Sequence, residues 1–320
     1  MQGAIIGLTG DAESPLLPAF KAAGHKLTCL CGDAPALKAA GRLLPEAVRY
    51  GDLETLLSKA EKLDFVLVSG APERRFRAAL RALENRLHVI CETPFCFSTS
   101  DFETLRTEAA RNGLTLAALQ PWERSSAWLA LEKIFTGGLL GRLRWAETQL
   151  FLPGPAPAGG ITAAAGWQAF SMLLGAVRLP PSALAARLTP APEPGAAPCD
   201  ETAAFQVHFG GADGVVHLFS GSHAPGARVA AAGEKGRLEL DGDLLRLDIK
   251  GVPPETVKLR DSLAAGGNRP EWLAEELRDF ARETERKLPP GSGLRNARYC
   301  VKLLKNAYYS AAVRSAAVPL

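Results

Sequence analysis

Charge of one sign is not in excess in this chain. Its 37 Lys and Arg stand against 34 Asp and Glu, a net charge of +3. Proteins that hold nucleic acid or anionic membrane usually concentrate basic residues on one face. Here the two signs interleave, as on a solvated surface, so neither partner is expected. A basic stretch followed by an apolar core is missing at the start, where Met1-Gln2-Gly3-Ala4-Ile5-Ile6-Gly7 runs straight into a strand pattern. No signal segment is expected, and no apolar run reaches the length of a membrane span. Cysteine is sparse: six residues at 29, 31, 91, 96, 199 and 300. Their spacing does not suit a zinc ribbon or finger. They are read as reduced thiols of a cytoplasmic protein, those on strands as commonly buried, and no metal site is expected. Internal repeats are absent. Histidine and aspartate are also absent from 156 to 198, so two residue types that commonly carry protons in catalysis are missing there.

What is present is an ordinary globular composition, 47% hydrophobic and 22% charged over 320 residues. That length is enough for two domains with cores. In the first part short apolar runs alternate with helical stretches. Strands are predicted at 4–7, 27–31, 65–68, 89–91 and 114–119, with helices at 12–23, 53–62, 73–86 and 100–112. Continuous apolar strands separated by helices predict an α/β, doubly wound parallel sheet over residues 1–120. After residue 120 the strands lengthen and alternate, at 142–151, 203–209, 215–220, 236–240 and 244–249. Turns such as Asp241-Gly242-Asp243 separate them. This predicts an open, mainly antiparallel sheet in a C-terminal α+β domain of residues 121–320. A Pro- and Ala-rich loop is expected at 179–198, with one strand near 183–188. Two helices, about 270–287 and 293–313, close the chain. The second is expected to pack back on the first domain.

Several local signatures occur in one order. Residues 88–94 read His-Val-Ile-Cys-Glu-Thr-Pro. Tyr50-Gly51-Asp52-Leu53-Glu54 precedes Phe65-Val66-Leu67-Val68, which is followed by Ala71-Pro72. Gly138-Leu139-Leu140-Gly141 opens the second half, and Ala307-Tyr308-Tyr309-Ser310-Ala311-Ala312 lies near the end. Together these resemble the Gfo/Idh/MocA oxidoreductase family over nearly the whole length. The resemblance implies a Rossmann-like nucleotide-binding domain, NAD or NADP as cofactor, and a sugar, polyol or cyclic alcohol or ketone as substrate. It also implies oligomers formed through the open face of the C-terminal sheet, where Val215-Val216-His217-Leu218-Phe219 supplies apolar surface.

The departures from that pattern fall where the chemistry should be. In the family a Glu-Lys-Pro motif ends strand five, and its lysine, beside the nicotinamide, takes part in proton transfer. Here Glu92 and Pro94 remain, but Thr93 replaces the lysine. A hydroxyl carries neither charge nor a titratable proton near neutral pH. Thr93 either polarises a carbonyl through a hydrogen bond or fills the space the lysine left, and the second reading is favoured. Glu92 is a catalytic acid raised by burial or, as favoured, a structural residue at the strand end. The glycine fingerprint maps onto Gly7, Thr9 and Ala12, with Gly10 one position late. Thr9 would crowd a pyrophosphate. The acid that usually receives a ribose hydroxyl maps to Gly32, with Asp33 beside it, and the histidine of the Thr-Pro turn maps to Phe76. Around Gly159-Gly160 and Gly166 the family's aspartate, histidine and second aspartate map to Ala164, Gln168 and Ser171.

The resulting cofactor residues are Gly7, Thr9, Gly10, Asp33, Ala71, Pro72 and Glu92. Trp122, Glu123, Arg124, Trp167 and Gln168 are expected to line the substrate cleft, with the two tryptophans either stacking on a planar ligand or wedged into packing. His208, His217 and His223 fall on strands and are read as surface residues, not metal ligands. Two functions stay open. One is a ligand-binding or partner subunit that has lost standard sugar-dehydrogenase chemistry. It would bind nucleotide weakly or not at all, take a sugar-like ligand, and form a homo-oligomer or a heteromer with an active paralogue. The alternative is an NAD(P)-dependent oxidoreductase of a sugar, polyol or cyclic alcohol or ketone with a relocated proton donor.

Overall fold

The computed structural model describes residues 1–9, 15–191, 198–263, 269–288 and 291–320. The chain forms two compact units. One comprises Met1–Pro121 with Asn268–Arg295, the other Trp122–Gly267 with Asn296–Leu320.

The first unit begins β1 (Gln2–Leu8), α1 (Leu16–Ala22), β2 (Lys26–Gly32), α2 (Ala34–Leu43), β3 (Val48–Tyr50), α3 (Leu53–Lys59) and β4 (Phe65–Val68). It continues α4 (Pro72–Glu84), β5 (His88–Glu92), α5 (Thr99–Asn112) and β6 (Leu116–Leu119). The strands form one parallel sheet in the order β3-β2-β1-β4-β5-β6. This is the Rossmann-like, doubly wound architecture expected from the sequence. α2 and β3 were not anticipated. Asp33 and Asp52 cap α2 and α3, each accepting from a backbone N–H three residues on, at 2.8 Å. Such caps satisfy donors that a helix start leaves unpaired. Gly113 closes α5 at φ 66°, the left-handed turn that suits glycine. Phe20 stacks on Phe65 at 5.6 Å in the core. A Cβ on Gly3 would run into the Phe65 ring, so this residue must be the smallest.

The second unit contains α6 (Ser126–Thr136), β7 (Leu143–Pro153), α7 (Gly160–Val177), β8 (Pro181–Thr189), β9 (Thr202–Phe209), β10 (Ala212–Ser222), β11 (Gly226–Gly233), β12 (Gly236–Asp241), β13 (Leu244–Ile249) and β14 (Glu255–Lys258). Among the described residues these eight strands and a short C-terminal one form a mixed sheet in which β7 and β10 run parallel and the other pairs antiparallel. Helix α7 packs on β7 and β10. Among the described residues it is long and apolar enough, by length and composition alone, to cross a membrane, which corrects the expectation that no such run exists. Of its residues 89% are buried inside the protein, as in a core helix. The opposite sheet face is half-open, with Phe151 stacked on the exposed Phe219 at 5.5 Å.

Two helices and a short strand complete the chain: α8 (Pro270–Thr284), α9 (Ala297–Ala312) and β15 (Val318–Pro319). α8 packs on α1 in the first unit, and Phe280 meets Phe65 at 5.3 Å. α9 packs on α7 and β8 in the second unit. The returning helix is therefore α8, not the expected one at 293–313. The apolar stripe of Trp272, Leu273, Leu277 and Phe280 accounts for it: residues four apart share a helix face.

Candidate functional site

A doubly wound sheet binds ligands beyond the carboxyl ends of its strands, where the strand order reverses. In the first unit that point lies between β1 and β4. A cavity of about 1140 Å³ opens there, walled by the ends of β1, β2 and β4, the turn before α3, and α4. Gly7 has φ +88°. A Cβ on Gly7 would collide with the Ser69 carbonyl oxygen, and one on Gly70 with the Gly7 carbonyl oxygen. The two strand ends thus touch backbone to backbone, which glycine alone permits. Thr9 stands exposed on the cavity wall. Gly10 and Ala12 lie outside the described residues.

The end of β2 explains the displaced acid. Leu8 pairs with Gly32, and its carbonyl oxygen accepts from the Asp33 N–H at 3.0 Å. A Cβ at Gly32 would strike that same oxygen, so no acidic side chain fits there. Asp33 lines the cavity instead, with Oδ1 committed to the Ala36 N–H. Of the expected cofactor residues the cavity wall gathers Gly7, Thr9 and Asp33. Ala71 and Pro72 start α4, and Glu92 ends β5; these three are not on the wall.

Sequence reasoning missed the arginines of α4. Arg74, Arg77 and Arg81 line the cavity, together with Phe76. Arg81 is engaged by Glu54, at 2.9 and 2.8 Å, and by Glu84, at 2.6 Å. Among the described residues Arg74 and Arg77 make no ion pair. The run Glu73-Arg74-Arg75-Phe76-Arg77 directly after Ala71-Pro72 was the available signal.

Arg75 faces away from the cavity, into the protein. Its Nη2 donates to Glu92 Oε2 at 2.8 Å and its Nη1 to the Pro94 carbonyl oxygen at 3.1 Å. Burial raises the Glu92 pKa; Arg75 and hydrogen bonds from Ser69 and the Gly70 N–H oppose this without cancelling it. The Glu92 side chain is nevertheless 28% exposed, so protons can reach it. Thr93 follows β5, half-buried, and its peptide to Pro94 is cis.

The residues expected in the substrate cleft lie in the second unit. Trp122 is 4% exposed and packs edge-on against Trp128 at 4.8 Å, and Trp167 is 1% exposed. Both are buried among core residues here. Glu123 and Arg124 form a 3₁₀ turn with Pro121 and Trp122. Ala164, Gln168 and Ser171 fall on one face of α7, spaced four and three apart. Gln168 and Ser171 are buried. Asp200, not anticipated, accepts from the Thr162 N–H at 2.9 Å and Oγ1 at 2.6 Å at the start of α7.

Among the described residues no group of three or more His, Cys, Asp or Glu is placed to hold a metal ion. His208 pairs with Asp213 at 2.8 Å and His217 with Glu147 at 3.2 Å. Burial raises the thiol pKa of Cys31 to about 11 and of Cys96 to about 12, so neither is a nucleophile near neutral pH.

Residues 1–119 match the family model described as GFO_IDH_MocA, oxidoreductase family, NAD-binding Rossmann fold. Solved structures share the fold of the whole chain. An oxidoreductase from Agrobacterium radiobacter in complex with NAD+, L-tartaric acid and magnesium superposes with a TM-score of 0.83 at 18% identity, covering 100% of this chain and 98% of that one. An inositol dehydrogenase homolog from Azotobacter vinelandii, complexed with NADH and myo-inositol, gives 0.80 at 20%, covering 100% and 97%. A probable dehydrogenase from Thermotoga maritima gives 0.80 at 19%, covering 100% and 98%.

Proposed function

We propose that this chain, which belongs through residues 1–119 to the Gfo/Idh/MocA oxidoreductase family, is an NAD(P)-dependent oxidoreductase of a sugar, polyol or cyclic alcohol or ketone. The observation that carries this is the cavity of about 1140 Å³ at the strand-order reversal, with the Gly7–Gly70 backbone contact at its base. Its size and position fit the adenosine part of a dinucleotide. Gly7, Thr9, Asp33 and the α4 arginines would hold that part, and a bound nicotinamide supplies hydride chemistry that no side chain can.

The chain itself must handle the accompanying proton. Thr93 cannot, because a hydroxyl does not titrate near neutral pH. Glu92 is one residue away, and burial lifts its pKa above the ordinary carboxylate value. A carboxyl shifted toward the working pH is better matched to general acid–base work. Arg75 fixes the carboxylate through Oε2. In this reading Glu92 takes a proton in the oxidising direction and returns it in the reducing direction, while Thr93 fills space.

The other reading, a silent binding or partner subunit, draws support from Thr93 and from Ala164, Gln168 and Ser171. It is the weaker one, since the similar structures are described as oxidoreductases and dehydrogenases, two of them holding NAD+ or NADH beside a polyhydroxylated small molecule. The test is to follow nicotinamide absorbance with a panel of sugars, polyols and cyclic ketones, in wild type and Glu92→Gln. Turnover in wild type that is lost in Glu92→Gln, with cofactor binding retained, is expected. Cofactor binding without turnover on any of the panel would favour the silent subunit.

A further inference from the structure

The guanidinium of Arg75 reaches the end of β5 from α4 with both of its terminal nitrogens engaged. Nη2 donates to Glu92 Oε2 at 2.8 Å and Nη1 to the Pro94 carbonyl oxygen at 3.1 Å. One planar fork therefore holds the residues on either side of Thr93. Such a fork fixes the direction of what it binds, whereas an ammonium acts as a point charge. Arg75 is buried, and its Nε has no hydrogen-bond partner among the described residues. Burying a guanidinium is costly, and an unpartnered donor adds to the cost. An apolar side chain would cover this part of α4 without either cost.

The other groups around Glu92 bring no charge. Thr93 is neutral, and the strand neighbour of Glu92 in β6 is Leu119. Cys91 lies beside both Arg75 and Glu92, with Cys96 near it. Burial raises both thiols, that of Cys96 to about 12, so neither is ionised near neutral pH. Asp101, on α5, is near Cys96. Ser69 and the Gly70 N–H give the Glu92 carboxylate neutral hydrogen bonds. The ion pair of Glu92 is with Arg75, and a guanidinium stays charged at every working pH.

We propose that Arg75 is a positioning residue for the reaction, an inference that rests on the oxidoreductase reading above. Its charge favours the ionised Glu92 that accepts a proton, and its fork fixes the carboxylate and the Thr93-Pro94 segment in one arrangement. The charge lets Glu92 act as a base at a lower pH than burial alone would set. The fork keeps the carboxylate where a reacting hydroxyl must meet it, a placement to which rates are steeply sensitive.

The test compares full-length wild type, Arg75→Lys and Arg75→Met, with Glu92→Gln marking the signal of this one carboxyl. Ionisation of Glu92 is followed by infrared titration. Turnover is followed by nicotinamide absorbance against pH, with whichever sugar, polyol or cyclic ketone the wild type accepts. Circular dichroism confirms folding, and Arg75→Lys, which keeps a cation beside Glu92, is the milder change. In Arg75→Met the titration of Glu92, and with it the acid limb of the oxidising reaction, should move up by about one pH unit or more. In Arg75→Lys both should stay near their wild-type positions, while kcat falls roughly tenfold or more at little changed KM. A Glu92 titration unmoved in Arg75→Met would overturn the role of the charge, and full kcat in Arg75→Lys the role of the fork. Either result leaves the oxidoreductase reading standing. A wild type that turns over nothing, while Glu92 titrates as expected in all three proteins, would sink that reading and Arg75's part in the reaction with it.

Discussion

Arg75, on α4, places Nη2 2.8 Å from Oε2 of Glu92 at the end of β5. The pair ties the helix that supplies the cavity arginines to the strand that supplies the candidate proton carrier. Arg75 is 8% exposed as a residue, so its charge is balanced chiefly by this one carboxylate.

Breaking the pair from one side should be costly. Arg75→Met leaves Glu92 in a low-dielectric site without its cation, at a cost of ~3 kcal/mol. The Glu92 pKa should rise further, since Arg75 opposes the effect of burial. Arg75→Met/Glu92→Gln removes both charges and should recover most of the loss. Urea unfolding of the wild type, both single variants and the double variant checks this. Additive losses would show that the pair is not coupled.

His88 should make the first unit sensitive to mild acid. Its Nδ1 accepts from the Thr115 N–H at 2.9 Å, a role the imidazolium cannot play. Burial lowers its pKa, with Asp64 acting weakly the other way. The unfolded chain then binds a proton more readily than the folded one. Stability is fully present above the unfolded value of about 6.5 and falls as pH drops through the window below it. His88→Asn keeps an acceptor without a titration. Thermal unfolding between neutral and mildly acidic pH should show a smaller decline in the variant.

The start of α7 depends on Asp200. One of its carboxylate oxygens accepts from both the N–H and the Oγ1 of Thr162. Gly160, at φ +81°, leaves the room that this carboxylate occupies. Asp200→Ala should cost ~3 kcal/mol, the scale of two bonds to a buried charged acceptor. Asp200→Asn, which keeps an acceptor oxygen, should cost less. Chemical denaturation distinguishes the two, and equal losses would mean the charge matters more than the acceptor.

Gly7→Ala should disturb fold and cavity together. The residue has φ +88°, and a methyl group would meet the Ser69 carbonyl oxygen. A loss of about 2 kcal/mol follows from the conformation alone. The steric clash adds to this and should weaken nucleotide binding. Thr9→Gly, at an exposed position, should leave stability nearly unchanged and serves as the control.

The parallel sheet was legible because β1, β2, β4, β5 and β6 are continuous apolar runs between helices, a pattern set by burial on both faces. Helix α7 was not. It is apolar around its circumference and so shows no stripe to read. Strand β11, Gly-Ala-Arg-Val-Ala-Ala-Ala-Gly, has few residues of strong strand preference and exists through pairing with β7 and β12. For the site, Gly7 and Asp33 were legible from the fingerprint position. The arginines of α4 read as a solvated helix face, and only the strand order shows that this face borders the cavity. For Trp122 and Trp167 the sequence allows ligand stacking and packing equally. Burial decides for packing, since each is more than nine-tenths covered.

The most direct measurement is calorimetric titration of the purified, folded wild-type protein with NADPH and NADH. The account predicts saturable micromolar binding of at least one of them, weakened when Gly7 is replaced by alanine. No binding of either nucleotide up to millimolar concentration would contradict the assignment of the cavity to a dinucleotide, and with it the proposed oxidoreductase activity.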